Sequence, residues 1–369
     1  MNFFKNVFAT VVGIFLFMLL SFFLLIGLGA LLGSGEEKVK LKDNSVIQLD
    51  LAKINFDYAG KYETDSPFSS LMMSKDKVGF IEVLKAIDAA KTDDKIKGIT
   101  IVNNQSGLGL AQSKELRDKL EDFKKSKKFV YAYANIFSQK EYYISSIADQ
   151  VYLNPAGEVD FKGLGSEMLF FKNFQDQTGL KMEIIRHGKF KSAVEPYLAQ
   201  EISPENREQV TVLLQSVWQT IVTDIAKNRN ISIAQLNTIA DGLLARTPQM
   251  ALQQKLVDKV AYEDEFNDML KSKLKVEKED DVESISITDY VDHSSAKSED
   301  YTKDDVIAVI YAQGQINGGE GDVDYIGEGS INRSLKEARE DEDVKAVVLR
   351  VDSPGGSALV SELIWREIE

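Results

Sequence analysis

The residues that lead to Ser357 are of the types that form a tight turn carrying a catalytic nucleophile. Ser357 follows Pro354, Gly355 and Gly356, where an apolar run at 347–352 gives way to a helical pattern. Glycines let another chain approach closely, and free N–H groups at a helix start can stabilise a developing oxyanion. Ser357 is therefore a candidate nucleophile. It is equally a candidate helix N-cap, and this stretch alone does not separate the two interpretations.

A serine hydroxyl needs a base, and residues 187–196, His-Gly-Lys-Phe-Lys-Ser-Ala-Val-Glu-Pro, contain one in Lys191. Lysine acts as a base only when neutral, and its ordinary pKa of about 10.4 keeps it charged at pH 7. Burial disfavours the ammonium form and lowers that pKa. The nearby residues that could bury Lys191 are Phe190, Ala193, Val194 and Tyr197. Lys189, two residues away, is expected to be exposed.

Together the two stretches resemble the protease IV family, the long form of signal peptide peptidase A, which contains membrane-anchored serine proteases with a Ser/Lys dyad. In that family the serine follows Pro-Gly-Gly, and the lysine opens a Lys-Ser-Ala-Val-Glu-Pro segment. The resemblance therefore implies Ser357 as nucleophile and Lys191 as general base. It also implies tandem crotonase-like (ClpP-like) α/β domains, no cofactor, and apolar extended peptides, such as cleaved signal peptides, as substrates. A homo-oligomer, a tetramer by the same resemblance, is expected.

Other residues compete for these roles or support them. His187 is an alternative base because histidine most often fills that role, but no Asp-His-Ser order stands out. Ser353 is an alternative nucleophile, but it precedes the turn. The resemblance and the turn geometry suggest the backbone N–H groups of Ala358 and of the Gly314 turn as oxyanion donors. Ser192 could orient the lysine, and the two glycines before the nucleophile support its turn.

Composition limits the partners. The chain has 369 residues, enough for about two domains, and a net charge of −14 that argues against a nucleic-acid partner. It has no cysteine, which excludes disulfides and a thiol nucleophile. Only two histidines are present, too few for a histidine-based zinc site unless carboxylates supply the remaining ligands. No metal is expected.

The N-terminus has the composition of a membrane span. No charged residue occurs from 6 to 35, and we expect residues 7–32 to cross the lipid bilayer as one helix after a short cytoplasmic tail at 1–6. The apolar run is longer than that of a cleaved signal peptide. Lys5 on one side and Glu36 on the other orient the helix by the positive-inside rule. The bulk of the chain is thus predicted on the periplasmic side of the inner (cytoplasmic) membrane.

The following residues alternate between strand and helix patterns, which predicts a mostly parallel sheet in an α/β domain. The predicted strands lie at 46–51, 96–102, 129–134 and 151–153, with helices at 80–90, 113–125 and 141–148 between them. Residues 155–157, Pro-Ala-Gly, are predicted to turn the chain. Ser203 and Pro204 are predicted to start a helix that runs to about residue 228.

Residues 93–116 and 341–364 read as two copies of one unit, 248 positions apart. The copies share identical residues and keep the apolar strand face. In this register Gly109 stands opposite Ser357, so the first copy lacks the hydroxyl of the second. Because the first copy leads to Lys191 farther along the chain, the two halves are predicted to share one site.

These features predict two domains of unequal length. The first, residues 44–290, carries the lysine, and the second, residues 305–369, carries the serine. Residues 291–304 are predicted to be an exposed linker that contains a solvated His293. We expect the second domain to be incomplete, a truncated copy whose sheet exposes apolar faces.

Three functions remain open from the sequence. The first is a membrane-anchored serine endopeptidase. The second is a crotonase-like acyl-transforming enzyme, because that fold also stabilises acyl-CoA enolates with backbone amides. The charge of −14 fits poorly with CoA phosphates. The third is an inactive membrane scaffold, because an incomplete second domain would not hold Ser357 near Lys191.

Overall fold

The computed structural model describes residues 2–33, 41–57, 78–103, 105–295, 305–322 and 324–369. The chain forms two compact units, Met1–Lys40 and Leu41–Glu369. The first contains helix α1, Asn2–Gly33. Its segment Phe3–Leu24 has 22 residues with a mean hydropathy of 2.7, so it is long and apolar enough to cross a membrane. The helix predicted at 7–32 is confirmed, and it begins five residues earlier.

A six-stranded, wholly parallel sheet forms the centre of the second unit, in the order β7-β6-β5-β4-β1-β8. The strands up to β8 are β1 Ser45–Gln48, β2 Ile54–Phe56, β3 Val78–Gly79, β4 Ile96–Val102, β5 Phe129–Phe137, β6 Gln150–Val159, β7 Lys259–Val260 and β8 Ser284–Ser286. The remaining strands are β9 Val306–Gln313, β10 Gln315–Ile316, β11 Tyr325–Ile326 and β12 Val344–Asp352. The short β2 and β3 pair with each other, as do β10 and β11.

Helices cover both faces of the six-stranded sheet. Those up to α6 are α2 Phe80–Thr92, α3 Leu110–Lys124, α4 Gln139–Ser145, α5 Lys172–Thr178 and α6 Glu195–Leu198. They are followed by α7 Pro204–Arg229, α8 Ile233–Asp241, α9 Pro248–Gln253, α10 Glu263–Leu274, α11 Ile287–Ser295, α12 Glu328–Glu340 and α13 Ala358–Ile368. Along β5, Val130 and Ala132 pack into the core that α2, α3 and α7 share, whereas Tyr131 and Tyr133 pack against α10. Burial on both faces explains why these strands are nearly continuously apolar.

The turn predicted at 155–157 is wrong. Strand β6 continues to Val159 and pairs with β5 on both sides of a register shift between Ala134 and Ile136. The glycine of the predicted turn permits this irregularity, because a Cβ at Gly157 would lie 2.0 Å from the Asn135 carbonyl oxygen. The Pro-Ala-Gly sequence therefore marks a bulge within a strand.

The linker predicted at 291–304 is wrong at its start. Residues 291–295 belong to helix α11, whose Tyr290 and Val291 are buried in the main core. His293 is half-buried, with its ring 6.0 Å from that of Tyr290, and is not a solvated residue. Residues 296–304 lie outside the described part of the chain.

The second parallel sheet joins β9 to β12. Helices α12 and α13 cover one face, where Ile310, Leu335 and Val360 belong to one buried cluster. Apolar side chains on the strands themselves are exposed, including Ile307 and Val351.

The two copies predicted from the sequence recur as structure. Helices α2 and α12 begin 248 residues apart, at Phe80 and Glu328, and so do α3 and α13, at Leu110 and Ala358. Among the residues that the structure describes, each copy has its strands and α-helices in the order strand, strand, strand, helix, strand, helix, and the first strand pairs in parallel with the fourth. We call Ser45–Lys124 the first repeat and Val306–Ile368 the second repeat. The internal duplication is confirmed.

Candidate active site

Ser357 lies where the sequence placed it, between β12 and the first turn of α13. It is the N-cap of α13, and its Oγ accepts a hydrogen bond from the Val360 N–H at 3.4 Å. The side chain is half-buried. Because the hydroxyl sits at the positive end of the helix dipole, negative charge that develops near it is stabilised. The N-cap and the nucleophile interpretations therefore describe the same geometry.

The glycine pair fixes this serine against β10. The Ser357 N–H donates to the Ile316 carbonyl at 2.9 Å, and the Ile316 N–H donates to the Gly355 carbonyl at 3.0 Å. Gly355 has a φ of +100°, which other residues rarely adopt. A Cβ at Gly356 would lie 2.1 Å from the Ile316 oxygen, so only glycine allows the turn to approach the strand this closely.

Ser353, the alternative nucleophile, shapes the turn. Its Oγ donates to the Gly314 carbonyl at 2.6 Å and accepts from the Gly355 N–H at 3.1 Å. A hydroxyl that donates and accepts in this way holds two loops together. Its only proton is already committed, which leaves Ser357 as the better nucleophile candidate.

Of the two oxyanion donors predicted from the sequence, Ala358 remains a candidate and Gly314 does not. Ala358 is the first residue of α13, so its N–H has no acceptor within the helix. The N–H of Gly314 is already used, because it donates to the Asp352 carbonyl at 2.9 Å. Gly314 itself cannot supply the second donor without breaking that bond. Its φ of +87° and its close approach to the Asp324 carbonyl give it a structural role in the turn.

Gly318, which the sequence reasoning missed, is a further candidate amide in this loop. A Cβ at Gly318 would lie 4.0 Å from the Val360 side chain, so the residue borders the first turn of α13. Among the described residues, no hydrogen bond uses its N–H. The glycine-rich sequence at 318–321 was the available signal.

Lys191 precedes a short 3-10 helix, Ser192–Val194, and its side chain is exposed. The expectation that neighbouring apolar residues bury it is wrong for the single chain. Phe190 is 57% exposed, and Tyr197 stacks on Phe171 with ring centroids 5.6 Å apart. The lysine segment thus lacks its own apolar enclosure.

The lysine segment is anchored by its acidic residue. Glu195 is buried and accepts hydrogen bonds from the Ser203 N–H at 3.2 Å and the Asn206 side chain at 2.5 Å. Burial opposes ionisation of this carboxyl, but these hydrogen bonds outweigh it, and the pKa of Glu195 lies below its usual value. Glu195 therefore ties the segment to the start of α7, a role that the sequence reasoning did not assign.

Among the described residues, no contact assigns the remaining sequence candidates a part in the site. His187 is exposed, like Lys189, whose Nζ lies 3.8 Å from Glu205. Ser192 is half-buried, and no hydrogen bond among the described residues joins its hydroxyl to Lys191.

Within the described chain, no hydrogen bond joins Lys191 to Ser357. The serine half of a candidate site is thus well ordered by its turn, whereas the lysine half lies on an exposed surface. Exposed apolar side chains cluster in the same part of the sequence, namely Leu169, Phe174, Leu180, Met182, Ile185 and Phe190. Apolar surface of this extent marks an interaction region in many proteins.

Comparisons with known proteins agree with these motifs. Residues 122–277 match the family described as Peptidase family S49. The chain is 35% identical over 301 residues to "Protease 4" of Haemophilus influenzae, which covers 79% of this chain and 49% of that protein. It is 34% identical over 296 residues to "Protease 4" of Salmonella typhi, with coverages of 78% and 47%.

A plant protein matches over a similar length. The chain is 31% identical over 292 residues to "Serine protease SPPA, chloroplastic" of Arabidopsis thaliana, which covers 76% of this chain and 42% of that protein. The chain therefore spans about half the length of the curated relatives it matches. The matched family segment contains Lys191, and Ser357 lies beyond it.

Proposed function

This chain belongs to peptidase family S49, and on that premise we propose that it is a membrane-anchored serine endopeptidase. Ser357 is the nucleophile, and Lys191 is the general base. The observation that carries the proposal is the turn of Ser357, which glycines hold at a helix N-terminus beside the amides of Ala358 and Gly318, for which the described residues supply no acceptor. Family membership favours peptide hydrolysis over the acyl-CoA chemistry that a crotonase-like fold also supports.

In the proposed reaction, Ser357 Oγ attacks the scissile carbonyl carbon while neutral Lys191 accepts the hydroxyl proton. The carbonyl oxygen becomes an oxyanion, which the N–H groups of Ala358 and Gly318 stabilise. Protonated Lys191 then donates to the leaving amine, and an acyl-enzyme remains on Ser357. A water molecule, deprotonated by Lys191, hydrolyses this ester and restores the serine.

Lys191 must be neutral for this sequence, which requires that it lose contact with water. Since one chain leaves it exposed, we propose that another copy of the chain covers the lysine segment. The exposed apolar side chains around it support a homo-oligomer, and the resemblance to protease IV suggests a tetramer. Whether Lys191 meets the Ser357 of its own chain or of a neighbour is decided by the experiment below.

Helix α1 supports the membrane anchor and, with Lys5 near its N-terminal end, the predicted orientation. We therefore place Leu41–Glu369 on the periplasmic side of the inner membrane. The substrates proposed from the family are extended apolar peptides, such as signal peptides left in the bilayer after secretion. A protease anchored beside the membrane meets such peptides where they are released.

The test uses detergent-solubilised full-length protein, a fluorophosphonate probe and an apolar reporter peptide. Wild-type protein is expected to be labelled at Ser357, and Ser357→Ala to lose both labelling and hydrolysis. Lys191→Ala should slow both by about 10²-fold to 10⁴-fold, whereas Lys189→Ala, its exposed neighbour, should match wild type. Full-rate hydrolysis by Lys191→Ala would remove the proposed dyad, and an unlabelled wild type would favour the inactive scaffold.

Mixed assemblies locate the dyad. Ser357→Ala and Lys191→Ala subunits are dissociated, combined and reassembled. Recovery of hydrolysis in the mixture is expected if the two residues meet across chains. A mixture as inactive as either parent, in assemblies shown to exchange subunits, indicates a dyad within one chain.

A further inference from the structure

The first repeat contains a counterpart of the Ser357 site. Gly109 is the N-cap of α3, as Ser357 is the N-cap of α13, and the two residues are 248 positions apart. The third residues of these helices also correspond. Val360 donates its N–H to Ser357, whereas Gln112 accepts the Gly109 N–H at 2.9 Å through its side-chain oxygen. The fold therefore builds the same strand-to-helix corner twice, once with a hydroxyl and once without.

Asp57 lies at the corner of the first repeat that corresponds to the Ser357 site. Its carbonyl accepts from the Ile81 N–H at 3.0 Å, as the Gly319 carbonyl accepts from the Gly329 N–H at 3.0 Å, and these two donors are again 248 positions apart. Because their carbonyls accept equivalent hydrogen bonds, Asp57 corresponds to Gly319, although the two residues are 262 positions apart and the repeats therefore differ in length before this point. The second repeat leaves a glycine loop beside its helix start, and the first places a carboxylate there.

Residues of the second repeat contact Asp57 at this corner of the first repeat. Arg350 of β12 pairs with the Asp57 carboxylate through two guanidinium nitrogens, and its Nη2 lies 3.0 Å from Oδ1 and 3.3 Å from Glu115. Gln313, the last residue of β9, accepts from the Asp57 N–H at 3.1 Å through Oε1. The Asp57 side chain is only 3% exposed. It also accepts from the Gln112 side chain at 3.1 Å, so its bonds connect four segments of the chain.

Strands β9 and β12, which contact Asp57 through Gln313 and Arg350, both end beside the Ser357 turn. Arg350 pairs with Tyr311 in the β9–β12 register, and Asp352 pairs with Gln313. Beyond these ends lie the Gly314 turn and the Ser353–Ser357 turn, which are bonded to each other through Ser353. A displacement of the strand ends therefore displaces both walls of the proposed active site together.

From this arrangement we propose that the counterpart corner in the first repeat has become a socket for the second repeat, with Asp57 as a positioning residue for Ser357. The socket is defined by Asp57, Gln112 and Glu115. A buried carboxylate needs a partner, because an unpaired charge there is strongly destabilising. The forked arginine contact also fixes direction, which a single point charge would not. The positioning role, although not the docking itself, rests on the proposed function of Ser357.

The test compares Asp57→Asn, Arg350→Gln and the double variant in detergent-solubilised full-length protein. Each single variant is expected to slow acylation of Ser357 by fluorophosphonate about tenfold or more, since small misplacements are costly in rate. The double variant should be no slower than the slower single one, because both changes remove the same contact. Arg350→Lys, which keeps the charge without the fork, should fall between wild type and Arg350→Gln.

Arg339→Gln is the matched control, since Arg339 pairs with Glu367 at 2.6 Å on the exposed surface of the second repeat. It should acylate at the wild-type rate. The positioning role is refuted if the two single changes slow acylation additively in the double variant. It is also refuted if they lower thermal stability and leave the acylation rate unchanged. The contact would then be an ordinary structural ion pair.

A second measurement does not depend on catalysis. Hydrogen exchange at the Asp57 amide, localised by fragment mass spectrometry, should be about tenfold faster or more in Arg350→Gln, because the Gln313 acceptor is released with the strand. Unchanged exchange would overturn the socket even if Ser357 proves to be the nucleophile. If wild-type protein is not labelled at Ser357 while exchange does respond to Arg350→Gln, the proposed function fails and the docking socket stands.

Discussion

Gly356→Ala is expected to disable the site through steric displacement alone. The added Cβ would lie 2.1 Å from the Ile316 oxygen, whereas real Cβ contacts almost never fall below 3.0 Å. The turn must therefore move away from β10 by about 1 Å, and a shift of this size can cost about 10²-fold in rate. Two hydrogen bonds cross this contact, Ser357 to Ile316 and Ile316 to Gly355. At about 1 kcal/mol each, their loss lowers the free energy of unfolding by about 2 kcal/mol.

The assay measures the fluorophosphonate acylation rate of Ser357 at a temperature where both variants remain folded, and the free energy of unfolding separately by urea titration. Gly165→Ala is the control, because a Cβ at Gly165 would contact nothing within 4 Å. It should be acylated at the wild-type rate. A folded Gly356→Ala protein that also reacted at that rate would refute the inference that the contact with β10 positions the serine.

Two further predictions concern groups outside this turn. Because the pKa of Glu195 is lowered on folding, its carboxylate stabilises the protein above the unfolded-state pKa of about 4.3, and this contribution is lost as the pH falls through the folded-state pKa. The stability difference between wild type and Glu195→Gln, measured by urea titration, should therefore be largest near neutral pH and shrink in acid; a constant difference would contradict this. Arg117→Met should lower the free energy of unfolding by about 3 kcal/mol or more, because the buried guanidinium bonds Ser146 at 2.8 Å and Asn228 at 2.5 Å. Exposed Arg246→Met is its control, and equal losses would show that the buried contacts contribute little.

The predicted elements were accurate where the hydrophobic pattern was decisive. The strand predicted at 96–102 matches β4 residue for residue, and the helix predicted from Pro204 ends at Arg229 instead of about 228. Apolar periodicity and a Ser-Pro helix start leave few alternatives in such segments. Helix α10 was missed, although Phe266, Leu270 and Leu274 have helical spacing. That signal was present in the sequence.

The predictions were wrong for segments in which tertiary contacts override the local sequence signals. Pro-Ala-Gly at 155–157 is typical of a turn, yet strand β5 supplies a partner that accommodates it as a bulge. The Ser-rich composition after residue 290 predicts a linker, yet Tyr290 and Val291 pack into the core and belong to α11. Neither partner is adjacent in sequence, so local composition could not reveal them.

The sequence by itself indicated the family resemblance, the apolar N-terminal helix, the duplication and the strand-to-helix corner of Ser357, because each is encoded by residue types at short range or by a fixed offset. Only the tertiary structure decided how these parts are used. In the folded chain the Gly314 N–H donates to the Asp352 carbonyl, and Gly318 lies beside the start of helix α13. Lys191 is exposed, and Arg350 pairs with Asp57. The reason is physical. A hydrogen-bond donor, a solvent shell and an ion partner are set by what surrounds a group in space, and residues far apart in the chain supply those surroundings.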